Sequence, residues 1–427
     1  MTKTLLKATA STLALTFAFS ASGAFAQEMP SKEEMWKMIL QQQEQIKKLE
    51  AIVGVTTRKV EETAVKVAET EKKVEATGEA LDQVASSDAA GGHGSHGASG
   101  KTTVGGYTEL HYNGGKADEV DLHRFVVFLG HEFNDNIRFF SELEVEHSIA
   151  GDGQVGAVEM EQAYMEMDLN DNHKVSTGLL LVPAGILNET HEPPTFYGVE
   201  RNNVEKNIIP TTWREAGVML SGNLTQSFSY DLMMHSGLDT TGNGYKIRNG
   251  RKSVGEAPWK NTAFTARATW HGLPGVEVGA SFQYQDDITQ SSAGDENASA
   301  TLFEIHTDIK RAVTDSGSIG LRALFAQWNV NADAAELIGR DTQRGWYVEP
   351  SYKITLGDDN AIGFFARYSV WDNEAGDEID SAYKQTNLGI NYWPHENVVL
   401  KLDYQIDSFA NEAKEDNRIN LGVGLQF

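Results

Sequence analysis

The chain has no cysteine, which excludes a disulfide framework, a thiolate metal site and a cysteine nucleophile. Proline is scarce, 9 in 427 residues, as befits a chain held mostly in ladders that a missing N–H would break. After residue 26 no apolar run approaches the roughly 20 residues that a membrane-spanning helix needs. Basic charge is short too: 36 Lys and Arg against 61 Asp and Glu leave a net charge of −25. That is the wrong sign for neutralising phosphates, so no nucleic-acid partner is expected. No G-x-S-x-G elbow occurs, and His235 and His306 lack an evident Ser–acid partner, so no enzyme is expected. No cofactor is expected either.

What the sequence does contain is alternation. Sixteen short stretches after residue 100 switch between apolar and polar with the period of a strand. The last places Ile419, Leu421, Val423, Leu425 and Phe427 on one face and Asn420, Gly422, Gly424 and Gln426 on the other. The predicted strands run near 102–112, 121–133, 137–147, 157–169, 173–182, 212–222, 225–237 and 260–271. They continue near 275–287, 300–311, 317–330, 342–356, 361–371, 382–392, 397–407 and 417–427. Connections alternate strictly between short turns such as Asn134-Asp135-Asn136 and long loops. An even number of antiparallel strands with this alternation is the pattern of a bacterial outer-membrane barrel spanning 102–427. Outer-membrane lipid and lipopolysaccharide are then the expected surroundings.

Three segments precede the barrel. Lys3 and Lys7, an apolar stretch from Ala8 to Phe19 and Ala24-Phe25-Ala26 predict a secretory signal peptide over 1–26. Over 27–84 a heptad places Ile39, Ile46, Val53, Val60, Val67, Val74 and Leu81 at one core position. β-Branched residues dominate both core positions, which favours trimers in a coiled-coil stalk. Residues 85–101 read as a linker rich in Gly, Ser and His; His93 and His96 alone make a poor metal site. With both barrel termini on the short-turn side, the stalk is expected in the periplasm, where it has peptidoglycan within reach.

Parity assigns the barrel faces. Lipid is expected to see Phe139, Leu143 and Val145; Val276, Val278, Ala280 and Phe282; and Val398, Leu400, Leu402 and Tyr404. The lumen is expected to see Arg138, Glu142, Glu144 and Glu146, with Lys401 and Asp403. Sixteen strands are expected to leave an aqueous channel. The long connection at 183–211 is rich in Pro, aromatics and aliphatics, the composition of a packed segment, so it is expected to fold inward and narrow the pore. Glu189, Glu192, Glu200, Arg201 and Glu205 would line the constriction, facing Arg124, Arg267, Arg322 and Arg367 on the wall. Opposed charges of this kind focus a transverse field, or else pin the loop by salt bridges. Acids outnumber bases on the loop and inner parity, which predicts weak selectivity leaning toward cations.

At 102–113 (TTVGGYTELHYN), at 160–203 and at the terminal Phe427 the sequence resembles the trimeric phosphate-selective porins of the O/P type. The stalk looks like that of DcaP-type porins. The resemblance implies a homotrimer with one pore per subunit, the third long loop at the constriction and Phe427 as an assembly signal. The mixed inner charges, including Glu109, Glu166, Asp231, Glu304 and Asp308 beside the arginines, depart from a cationic ladder. The expected function is passive diffusion of small hydrophilic solutes or ions. The alternative is a structural tether in which the barrel anchors a stalk bound to peptidoglycan.

Overall fold

The computed structural model describes residues 101–427 apart from 117, 152, 292–296 and 358. The expected leader, the stalk and the linker up to residue 100 lie outside the described residues. The strands are β1 (Thr102–Gly114), β2 (Glu119–Asn134), β3 (Ile137–Glu146), β4 (Val158–Asn170), β5 (His173–Leu181), β6 (Arg214–Thr225), β7 (Phe228–His235) and β8 (Ala263–Leu273). They continue as β9 (Val276–Gln285), β10 (Ser299–Ala312), β11 (Gly317–Asn331), β12 (Thr342–Thr355), β13 (Ala361–Asp372), β14 (Tyr383–His395), β15 (Val398–Phe409) and β16 (Arg418–Gln426).

Each strand pairs with its sequence neighbours, and β16 returns to β1 to close the barrel. At the seam Tyr107 lies opposite Gln426 and Gly114 opposite Ile419. Closure leaves no open sheet edge, the condition that β-structure must meet inside hydrocarbon. The described residues include no helix long and apolar enough to cross a membrane.

Turn chemistry sets the short connections. Asn134 Oδ1 accepts the N–H groups of Asn136 and Ile137 at 2.9 and 3.0 Å, and Asn170 Oδ1 accepts that of Asn172 at 3.0 Å. A side-chain carbonyl here mimics a backbone turn. The strict short–long alternation fails once. The connection 115–118 is no longer than the short one at 313–316. The ladder there outruns the apolar pattern, because Asn113 still pairs with Glu119 on one side and with Asn420 on the other. Backbone pairing does not require an apolar side chain.

Leu143, Val278, Phe282, Leu400, Leu402 and Tyr404 point outward and are exposed, while Glu142, Glu144, Ser281, Gln283, Lys401 and Asp403 on the same strands are buried inside. The interior, however, is not a uniform water column. Inward-facing Leu302, Leu324, Trp328 and Tyr347 of β10, β11 and β12 are buried, in one cluster with Val204, Ile208 and Ile209. Leu238 and Ile247 from the connection 236–262 join the same cluster. Two long connections thus fill one side of the barrel with an apolar core. Each fully buried Leu or Ile there contributes about 1.5–3 kcal/mol.

Candidate functional site in the barrel interior

The segment 183–211 is shaped from within by two polar side chains. Asn188 ties its ends together: Nδ2 donates to the carbonyls of Val182 and Trp213 at 2.7 and 3.0 Å, and Oδ1 accepts the Trp213 N–H at 2.6 Å. Glu205, at the start of the short helix Val204–Asn207, accepts the N–H groups of Ile186 and Leu187 at 2.8 and 2.6 Å. Its other oxygen accepts from the Tyr347 hydroxyl at 2.7 Å and the Asn202 amide at 3.3 Å. Burial pushes the Glu205 carboxyl up, only partly offset by these four donors.

The barrel wall then takes up the loop's carbonyls. Arg124 donates to His191 at 2.8 Å, Arg322 to Thr195 at 3.0 Å, and Arg367 to Tyr197 and Glu200 at 3.3 and 3.2 Å. Asn391 and Trp393 donate to Phe196 and Pro194, while the Val199 N–H reaches Asp403 at 2.7 Å. The Lys401 ammonium lies 3.5 Å from the Phe196 ring centre. These partners come from β2, β11, β13, β14 and β15, so the loop crosses the interior. An irregular backbone survives burial only with its polar groups paired in this way. Gly422 and Gly424 of β16 make room: a Cβ on Gly424 would lie 2.3 Å from Pro193 Cβ, and one on Gly422 would lie 3.2 Å from Val199 Cγ1.

The residues singled out from sequence fall into distinct groups. Glu189 pairs with Arg267, which also holds Asp231 at 2.7 Å. Glu200 meets His111 at 3.2 Å and the Asn113 amide at 3.1 Å. Its carboxyl sits well below the usual range, because the His111 contact overcomes the opposing effect of burial. Glu192 is half-buried and has no ion-pair partner among the described residues. Glu205 is fully buried among the loop's own amides and does not present free charge to a pore. Arg124, Arg322 and Arg367 do not pair with loop carboxylates. Besides the loop carbonyls they hold the wall acids Glu109 at 2.5 Å, Asp308 at 3.0 Å and Glu349 at 3.2 Å. Arg138 stands apart, bound to Glu166 and Asp168 near the turn after β2. Glu142 is buried, with the Gln162 amide at 2.6 Å, and Glu144 lines the cavity described next.

Two cavities flank the loop. One of about 410 Å³ is bordered by Glu144, Glu146, His147, Glu200, Arg248 and Ser253, among others. The other, of about 320 Å³, is bordered by Asp308, Lys310, Ser318, Tyr197 and Lys353. Phe196 lines both. In the larger cavity Glu144 and Glu146 belong to the wall of β3, whereas Arg201, Lys206, Arg248 and Arg251 come from the two long connections. Arg248 donates to the carbonyls of Lys206 and Thr211 at 2.6 and 3.2 Å, and Arg251 to that of Thr212 at 2.9 Å. Arg201 reaches the Thr212 hydroxyl at 3.4 Å. None of these four cations has a carboxylate within ion-pair distance among the described residues. Burial, and then mutual repulsion with Arg201 and Arg251, lowers the pKa of Arg248; burial and Arg214 do the same to Arg251.

Lys206, Arg248 and Arg251 were missed from sequence. The signal was present as Lys246, Arg248, Arg251 and Lys252, a basic run in an acidic chain. Nothing in its periodicity showed that the connection 236–262 turns inward.

No family model matches the chain. An uncharacterized protein of Aquifex aeolicus (strain VF5) is 30% identical over 348 residues, 74% of this chain and 78% of that protein. The chain belongs to the same family as that protein. Among solved structures, the anion-selective porin from Comamonas acidovorans has a TM-score of 0.53 and 11% identity, covering 77% of this chain and all of its own. The Salmonella typhi OmpF complex with daunomycin has a TM-score of 0.51 and 13% identity, covering 76% of this chain and 97% of that one. At such identities these likenesses show the fold alone.

Proposed function

We propose that the protein is an outer-membrane porin through which small hydrophilic solutes or ions diffuse passively, with the loop at 183–211 as its constriction. The observation that carries this reading is that Phe196 borders the cavities on both sides of the loop. A solute crossing between the long-loop end and the short-turn end passes the segment around it. The outward band of apolar side chains supports a lipid setting. The resemblance to O/P-type porins adds a homotrimer, and the residue pattern adds 1–26 as leader, 27–84 as periplasmic stalk and 85–101 as linker.

We place the selectivity on the anion side rather than the cation side that a tally of acids predicts. Glu189 is spent on Arg267, Glu200 on His111, and Glu205 on backbone amides. The unpaired charges beside the loop are the cations Arg201, Lys206, Arg248 and Arg251, against Glu192 on the loop and Glu144 and Glu146 across the cavity. Within a few ångströms such charges act inside the Debye length of about 8 Å at physiological salt. A reversal potential measured in a planar bilayer under a KCl gradient tests this. Chloride preference is expected. A cation preference would reject the charge assignment, and no conductance at all would reject the porin.

A further inference from the structure

The mechanism of permeation does not use one cluster behind the loop. Glu142 of β3 and Glu161 of β4 face His191 of the loop, and one ligand atom from each lies within 4.8 Å of the others. All three side chains are at least 97% buried. His191 Nδ1 lies 3.1 Å from the Asn188 carbonyl, which fixes it as a donor and turns Nε2 toward the carboxylates. Nε2 is 3.6 Å from Glu142 and 3.4 Å from Glu161, and neither contact is a hydrogen bond. Both Glu161 oxygens lack a hydrogen-bond partner; the Arg214 guanidinium is 3.7 Å from one of them.

Charge balance sharpens the point. Arg124 is committed to Glu109 at 2.5 Å, and Arg214 divides itself between Glu159 and the Glu161 oxygen 3.7 Å away. Two buried carboxylates therefore share one imidazole and one long guanidinium contact, and Glu161 receives no hydrogen bond from either. Buried charges on this scale are paired or coordinate a metal. The supports expected around a metal ligand are in place: the Gln162 amide and the Tyr107 hydroxyl reach Glu142 at 2.6 and 3.4 Å, and the Asn188 carbonyl orients His191.

We propose that Glu142, Glu161 and His191 bind one divalent transition-metal cation such as Zn²⁺ or Mn²⁺, which clamps the loop to the wall of β3 and β4. Two carboxylates and an imidazole suit these ions. The site stands whether or not the barrel is a porin. The rival arrangement is a His191 imidazolium bridging the carboxylates without metal; burial opposes that proton, but the two acids hold the imidazole up to about 9.

The test is calorimetric titration of the full-length, chelator-treated protein in detergent with Zn²⁺ and with Mn²⁺. A second cluster, Asp121, His123 and His147, lies within metal-ligand spacing, its two histidines bordering the larger cavity, and needs its own control. We expect one equivalent of at least one of the two ions to bind per chain at the buried site. Affinity should fall more than 10- to 100-fold in Glu161→Gln and His191→Gln, since that range is the cost of losing a residue that merely orients a ligand. His123→Gln with His147→Gln should leave that equivalent in place. Heat-modified gel mobility checks that each variant still forms a barrel. If a variant fails that check, X-ray absorption of the metal bound to the His123→Gln, His147→Gln protein decides the matter, with an imidazole nitrogen expected among oxygen ligands. No binding of either ion, binding indifferent to Glu161→Gln, or no imidazole on the metal in that protein would overturn the proposal.

Discussion

The Tyr347 hydroxyl on β12 donates to Glu205 at 2.7 Å, joining the barrel wall to the carboxylate that organises the loop from within. Glu205→Ala would strand that hydroxyl and the N–H groups of Ile186 and Leu187, at about 1–3 kcal/mol for each buried group. The barrel should persist while single-channel conductance rises and becomes noisier. Unchanged conductance would mean the loop does not set the pore. Because burial holds Glu205 above its unfolded value, the folded loop binds its proton more tightly than the unfolded chain does. Its contribution is full below the unfolded value and is lost as pH rises through the folded one. Glu205→Gln should remove that pH dependence, as read by limited proteolysis of the loop.

Selectivity should follow the cations rather than the loop acids. Neutralising Arg248 and Arg251 together should move the reversal potential toward cations by more than neutralising Asp377, Glu378 and Asp380 in the connection 373–382. A larger shift from the latter set would show that the charge controlling permeation lies elsewhere.

Acid should loosen the loop. Glu200 is held below its ordinary range by His111, with Asn113 as a further donor. The stabilisation is present above the unfolded carboxylate value of about 4.3 and is lost as pH falls through the lower folded value. In Glu205→Gln, which lacks the other titrating loop carboxyl, conductance should be steady from neutrality to about pH 4.5 and change only below it. Adding Glu200→Gln should show the acid-like conductance already at neutral pH. A transition near pH 6 in the Glu205→Gln protein would point to a histidine instead.

Phe427 exchanges hydrogen bonds with Gly106, its N–H donating at 2.9 Å and its carbonyl accepting at 3.0 Å. Deleting Phe427 should lower the amount of barrel in the outer membrane more than it alters conductance per channel. Normal amounts after deletion would remove the residue from assembly.

The segment before the barrel should be dispensable for conduction. A form lacking residues 27–100 should insert and conduct, because β16 pairs directly with β1. Chemical cross-linking of the full chain should capture three copies. A monomer that resists cross-linking would argue against the trimer.

The strands were legible because outward apolar residues recur with a period of two, and the turns because Asn134 and Asn170 carry their own chemistry. Arg124 and Arg267 could be assigned inward by the same parity. Their partners could not. Whether an inward arginine meets a loop carboxylate or a loop carbonyl depends on the path of 183–211, which is irregular and has no period. The apolar filling by Leu302, Leu324 and Trp328 was hidden for a related reason. Those residues have strand parity, but only the inward turns of 183–211 and 236–262 together explain why the inner face there is greasy.

Gly422 and Gly424 carry a consequence for the order of events during biogenesis. They are the floor on which Pro193 and Val199 rest, and they belong to β16, the strand that closes the barrel onto β1. The loop therefore cannot reach its final seat until β16 has come to lie beside β1. Contacts so distant along the sequence form late in folding. A half-zipped barrel would hold its plug unseated, so a settled loop certifies that the seam is shut.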